Sequence, residues 1–345
     1  MNKLNLFETM LLFVTMFFVG CNDQEVLLSK VTNVYVAGYE CDAQGYYFAK
    51  LWKNGVKQDL SGGNHALAQS VYISGNDVYV AGTKKQGKWV AKLWKNGEEL
   101  NLTDGDNYAN AQSVYVSDND VYVTGYETNV QDIEVVKLWK NGVAQNLSDG
   151  ANRRNGEGYS VYVSGSDVYV AGWEKNEKGN YVAKLWKNGV AQNLTDGSLD
   201  AFASSVYVSN NDVYAVGWEN SAQYVSIAKL WKNGVVQNLS DGTCGTWAVS
   251  IYVLDSDVYV VGGERNAQYI EVVKLWKNGV AQNLTDGIYN AEARSVCVFG
   301  NDVYVAGRER NAQGIYVAKL WKNGVAQNLT DGKTYAEAIC VFVGE

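Results

Sequence analysis

The hexapeptide Lys-Leu-Trp-Lys-Asn-Gly occurs seven times, with its tryptophan at Trp52, Trp94, Trp139, Trp186, Trp231, Trp276 and Trp321, 42 to 47 residues apart. A period of this length restricts the chain to a repeat architecture, in which no unit buries its faces alone and each packs against its neighbours. Each copy carries several short strand patterns, so the expected unit is the blade of a β-propeller.

The copy beginning at Ser160 shows the pattern. Ser160-Val161-Tyr162-Val163 alternates as a strand, Gly165-Ser166-Asp167 turns, and Val168-Tyr169-Val170-Ala171-Gly172 returns. After a variable segment, Tyr181 to Lys187 reads as a third strand, Asn188-Gly189 as a two-residue type I′ turn and Val190 to Leu194 as a fourth strand. Proline is absent, so tight reversals fall to Gly, Asn and Asp, which tolerate left-handed backbone. The second strand begins at Val34, Val78, Val121, Val168, Val213, Val258 and Val303, and the first of these has no strand pattern before it. The missing pattern stands at the other end, as Cys340-Val341-Phe342-Val343-Gly344. The expected fold is therefore all-β: a seven-bladed β-propeller of four-stranded blades over residues 33–345, its ring closed by the C-terminal strand completing the first blade. Blades covered on both faces explain strands that are apolar on both faces. The tryptophan is expected as an inter-blade wedge paired across strands with the second-strand tyrosine, as Trp139 with Tyr122.

Ahead of the repeats, Lys3 precedes an apolar run from Met10 to Val19, followed by Gly20-Cys21. The run is too short to span a bilayer as a helix and has the dimensions of a secretory signal. Phe18-Val19-Gly20-Cys21 resembles the lipobox of bacterial lipoproteins. That resemblance implies a signal peptide over residues 1–20, lipidation at Cys21, a tether over 21–32, and a place at the cell envelope as an outer-membrane lipoprotein facing the periplasm or the cell surface. The repeats resemble bacterial β-propeller repeats of the SBBP type from Asn33 to Glu345, through the motif Asp167 to Gly172 and the third strand that follows it. This second resemblance implies a fold and no activity, because propellers host enzymes, lectins and scaffolds alike. The Leu-Trp-Lys-Asn-Gly core departs from the WD and kelch signatures.

A net charge of -8, with fourteen of the 29 basic residues spent on the repeated hexapeptide, argues against nucleic-acid binding. Cys41, Cys244, Cys297 and Cys340 follow no metal-ligand spacing, and the cluster Asp104-Gly105-Asp106-Asn107 occurs in one blade only, so neither a metal, a cofactor nor a disulfide is expected. No G-x-S-x-G elbow, P-loop or H-E-x-x-H occurs, and His65 is the only histidine. With six arginines the chain is short of the cluster that sialidase-type propellers use. No catalytic residue is assigned.

The turns after the first and third strands barely change between copies, whereas the connections on the opposite, top face vary, and variable top-face residues are where propellers bind ligands. Two sets stand out. Behind the second-strand glycine come Tyr39, Thr83, Tyr126, Trp173, Trp218, Gly263 and Arg308, each followed by an acidic residue or Lys84: Glu40, Glu127, Glu174, Glu219, Glu264 and Glu309, which are expected to be solvated. Ahead of the first strand, Leu67, Asn110, Glu157, Phe202, Trp247, Glu292 and Glu337 share one position; Tyr108 and Tyr335 share a second with His65; Gln69, Gln112, Tyr159 and Arg294 share a third. The candidate ligand-binding residues are Trp247, Phe202, Tyr108, Tyr159, Tyr335, Glu157, Glu292, Glu337, Arg294, Trp173 and Trp218. A rim of this composition suits sugar stacking or an aromatic anchor for another protein. The expectation is a monomeric, lipid-anchored, non-catalytic recognition or scaffold module for a glycan or an envelope protein. The alternative is a carbohydrate-active enzyme, a glycoside hydrolase or lyase, drawing an acid and a base from Glu157, Asp200, Glu292 and Glu337.

Overall fold

The computed structural model describes residues 32–151 and 155–344 and forms seven four-stranded antiparallel sheets arranged as a propeller. The expected signal peptide and the lipidation site Cys21 lie outside the described residues. Blade 4 consists of β12 (Gly156–Ser164), β13 (Asp167–Lys175), β14 (Tyr181–Lys187) and β15 (Val190–Asn193), in that order from the channel outward. Blade 1 combines β28 (Ala336–Gly344) with β1 (Asn33–Cys41), β2 (Tyr47–Lys53) and β3 (Val56–Asp59). β28 pairs with β1 from Asn33↔Gly344 to Glu40↔Ala336 and closes the ring.

The repeated residues fold locally for identifiable reasons. Asn188 and Gly189 sit at φ 51° and 82°, the left-handed pair that a type I′ hairpin demands. Asn188 also fastens the hairpin to β13: its N–H donates to Val168 O, its Oδ1 accepts from Val168 N, and its Nδ2 donates to Asp167 Oδ1, each at 2.8 Å. Lys187 Nζ lies 2.7 Å from Asp167 Oδ2 and over the Tyr169 ring at 5.3 Å. Six blades repeat this clasp; in blade 1, Asn33 replaces the aspartate.

All seven hexapeptide tryptophans are fully buried. The expected pairing of Trp139 with Tyr122 is not what forms: Trp139 faces Val123 across the strands, and Lys140 faces Tyr122. Trp139 instead packs among Tyr79, Ala81 and Leu93 of the preceding blade, while Tyr122 lies in the next inter-blade core beside Trp186. Side chains on neighbouring strands share a face with their register partners, so each tryptophan and the tyrosine of its own blade point into opposite interfaces. Trp186 Nε1 confirms the direction by donating to Leu147 O of blade 3 at 3.0 Å.

The inner two strands run further than the alternating pattern suggested. The first strand of blade 4 starts at Gly156 rather than Ser160, and the second continues past Gly172 to Lys175. A β-bulge lets it do so: Gly158 faces Gly172, Ser160 faces Ala171, and Tyr159 is the extra residue. The backbones close in here, since a Cβ on Gly172 would stand 2.0 Å from Glu157 O, and every blade carries glycine at that position. The glutamates expected to be solvated are partly buried and paired: Glu127, Glu174, Glu219, Glu264 and Glu309 hold the first hexapeptide lysine of their own blades at 2.8–3.2 Å. That lysine faces the second-strand glycine two residues before the glutamate, on the same face of the sheet, which brings the pair together. Where Lys84 replaces the acid, Glu99 of the outer strand takes both Lys84 and Lys92.

Candidate funnel on the top face

The bulge repeats in all seven first strands and aims one side chain per blade at the channel: Gln69, Gln112, Tyr159, Ser204, Val249, Arg294 and Ile339. Beneath them, Ser70, Ser113, Ser160, Ser205, Ser250 and Ser295 each accept a hydrogen bond, at 3.2–3.4 Å, from a backbone N–H of the next blade. Cys340 takes the seventh place and donates to Val71 O. Deeper still, Phe342, Tyr72, Tyr115, Tyr162, Tyr207 and Tyr252 form a collar with ring centres 4.7–5.1 Å apart, interrupted at Cys297. No collar residue lines the cavity of about 710 Å³ above, which is a funnel with a hydroxyl floor, open to the top face.

The two variable residue sets read from the sequence are cross-strand partners at its rim: Tyr39 with Glu337, Trp173 with Glu157, Trp218 with Phe202, Gly263 with Trp247, and Arg308 with Glu292. They divide the rim into sectors. Across blades 4 to 6, Phe202 stacks on Trp218 at 4.7 Å, and Trp247 lies across Gly263, where a Cβ would stand 2.5 Å from the indole. Trp173 Nε1 donates to Tyr159 Oη at 3.0 Å and holds that phenol at the wall. Blades 2 and 3 contribute the amides of Gln69 and Gln112.

Blades 7 and 1 carry a closed ionic cluster. Glu337 accepts from Tyr39 Oη at 2.7 Å, from Arg308 Nη1 at 3.0 Å and from Arg294 Nε; Glu292 accepts from Arg308 Nη2 at 2.5 Å and Arg294 Nη2 at 2.8 Å. Burial works to raise the Glu337 carboxyl, but the two guanidinium groups and the Tyr39 hydroxyl hold it below the ordinary carboxylate range. Two arginines against two glutamates leave this sector neutral.

Glu157 is the contrasting case. It is partly buried, and among the described residues no cation acts on it; burial pushes its carboxyl up to about 7, helped by Glu134 and opposed by the hydrogen bonds of Gln112, at 2.6 Å, and Tyr159. A carboxyl raised in the folded state stabilises fully below its unfolded value of 4.5 and loses that contribution as pH rises through about 7. Glu157→Gln is therefore expected to be more stable than the parent at about pH 8, by about 2 kcal/mol, with the difference vanishing toward about pH 4.5. Urea unfolding across this range measures it, and a gap independent of pH would refute the assignment.

Six candidates line the funnel directly: Trp247, Phe202, Tyr159, Glu337, Arg294 and Trp218. Trp173, Glu157 and Glu292 stand behind them as supports. Tyr335 packs on Tyr39 and under Arg308, outside the wall. Tyr108 lies apart, beneath Lys88 on the outer surface with Tyr126 and Glu134. Sequence reasoning missed Ser204, Val249, Ile339 and the serine tier as lining residues, although the serine recurs at a fixed offset in six copies. The single histidine, His65, has a structural role: its Nδ1 accepts from Tyr47 N at 3.4 Å, the place Asp200 and Asn290 fill in their blades.

The fold has counterparts among solved structures. Acylaminoacyl peptidase from Pyrococcus horikoshii matches at a TM-score of 0.56 and 12% identity, over 87% of this chain and 51% of that one. The β-propeller domain of the Trilobed protease from Pyrococcus furiosus, described as having an open velcro topology, matches at 0.52 and 12%, over 87% and 95%. A puromycin-hydrolyzing peptidase from Mycobacterium tuberculosis matches at 0.52 and 11%, over 78% and 46%. The chain thus spans about half the length of the two peptidases, and at this identity the likeness is one of fold alone. No family model matches the chain, and no curated protein matches it.

Proposed function

We propose that the protein is an exported, lipid-anchored propeller that binds a glycan in the top-face funnel and performs no catalysis there. The carrying observation is the asymmetry of the rim: Phe202, Trp218 and Trp247 offer aromatic surface on one side, and Gln69, Gln112 and the hydroxyl floor offer hydrogen bonds on the others. A pyranose needs both, an apolar face for stacking and donors and acceptors around its edge. The export and envelope reading rests on the lipobox-like Phe18-Val19-Gly20-Cys21. An acid and base pair drawn from Glu292 and Glu337 is disfavoured, because both carboxylates are occupied by the same two arginines. Glu157 has the raised protonation a general acid requires, but it stands behind the funnel wall, and Glu134, the carboxylate that interacts with it, lies outside the funnel with Tyr108 and Tyr126.

A broad glycan array probed with the purified protein and with a Phe202→Ala, Trp247→Ala variant tests this reading. The expected result is a specific signal that falls at least tenfold in the variant, as removal of two stacking rings implies. A blank array with the folded parent overturns the glycan reading in favour of an envelope protein as partner.

A further inference from the structure

Aromatic contacts lead out of the funnel wall through Tyr181 in blade 4, through Tyr335 and Tyr316 at blade 7, and over blades 1 and 2, and of these rows the last is the one that carries exposed rings. We infer that the funnel holds one end of an uncharged, hydroxyl-rich oligosaccharide whose remaining units run outward over blades 1 and 2. This rests on the glycan reading above and specifies its ligand. The row begins in the funnel wall at Tyr39, which packs edge-on with Tyr47 at 5.2 Å between ring centres. Tyr47 lies 6.3 Å from His65, and His65 is edge-on to Tyr46 at 4.3 Å and to Trp89 at 6.3 Å. These contacts stiffen a strip that leads from the funnel wall toward the periphery, while Tyr46 and Tyr47 stay 50% and 37% exposed. Rigid rings with solvent-exposed surface bind at low entropic cost. The most exposed tyrosines, Tyr224 and Tyr269, do not form such a strip: they stand singly at loop tips and touch no other ring among the described residues.

The chain leaves room along this row. From Gly82 to Trp94 is 94 − 82 = 12 residues, whereas from Gly172 to Trp186 is 186 − 172 = 14. In blade 4 that connection is a loop built on Asn176, whose Oδ1 accepts from the N–H groups of Lys178 and Asn180. In blade 2 it is cut to a turn at Gly87 between strands Asp77–Gln86 and Lys88–Lys95, so the shortest top-face hairpin stands beside the aromatic row. The chemical class of the unit in the funnel follows from the charges there. Arg294 and Arg308 are each committed to both Glu292 and Glu337, so neither guanidinium stands free of a carboxylate to meet a carboxylated or sulfated sugar. Glu157 adds negative charge to the rim as it ionises.

Titration calorimetry with the purified protein decides this, using gluco-, xylo-, manno- and N-acetylglucosamine oligosaccharides from disaccharide to hexasaccharide, and galacturonic acid oligomers as the charged series. A Tyr46→Ala, Trp89→Ala variant removes the outer row and leaves the funnel intact; its melting curve verifies the fold. In the parent, one neutral series is expected to tighten at least tenfold from disaccharide to hexasaccharide. The variant should bind the disaccharide as the parent does and lose that gain, and the charged series should fail. Disaccharide binding that does not strengthen with length, or a gain the variant keeps, overturns the row while the glycan reading stands. A charged series that binds as tightly as the neutral one overturns the ligand class, and an absence of binding by any sugar removes both readings together.

Discussion

Deleting residues 336–345 is expected to convert the protein into an aggregating, protease-sensitive chain. The segment contains all of β28, and its loss bares the edge of β1 along the whole paired stretch from Asn33 to Glu40. An apolar strand with unpaired N–H and C=O groups is a template for association. The packing loss is large as well. Val341 and Val343 are buried beside Trp52 and Tyr304, and together contribute on the order of 3–6 kcal/mol. Removing Glu337 strips Arg294 and Arg308 of a buried partner, a further cost of about 3–5 kcal/mol. The sum is comparable to the whole stability of a domain, about 5–15 kcal/mol. Size-exclusion chromatography and limited proteolysis read the outcome; a monomeric truncation with the parent's protease resistance would contradict the closure.

Trp139→Ala should cost about 3–5 kcal/mol, the upper end for a single truncation in a core. The indole is wholly inaccessible and fills the space between blades 2 and 3 against Tyr79, Ala81 and Leu93. Its neighbours are strands fixed by their own ladders, so the cavity cannot collapse, and collapse is what makes such truncations cheap. Tyr224→Ala is the control: that ring is 80% exposed and its loss should stay within about 0.5 kcal/mol. Both are measured by chemical denaturation. A Trp139→Ala cost below about 1 kcal/mol would mean that the wedge is not what spaces the blades.

The ring and its closure were legible because seven copies state the same pattern and one copy lacks a strand that the other end supplies. The Asn188-Gly189 turn was legible because few residue types tolerate its backbone. The bulge at Tyr159 was not, since one extra residue in a strand leaves no mark on alternation except a break, and that break reads as the strand's beginning. Everything above it was consequently taken for loop. The same error left Glu174 and its equivalents in solvent, when the continuing strand carries them to Lys184 and its equivalents. Tyr108 and Tyr335 stand two residues ahead of the position that Leu67, Phe202 and Glu337 hold at the mouth, yet they sit outside the wall, and sequence position alone does not separate the two places.

The pairing of Asn33 with Gly344 puts both ends of the described chain at the face of the clasped hairpins, opposite the funnel. A linker fused at Thr32 or Gly344 therefore attaches at the blind end of the ring. Immobilising the ring through such a linker leaves the funnel mouth unobstructed.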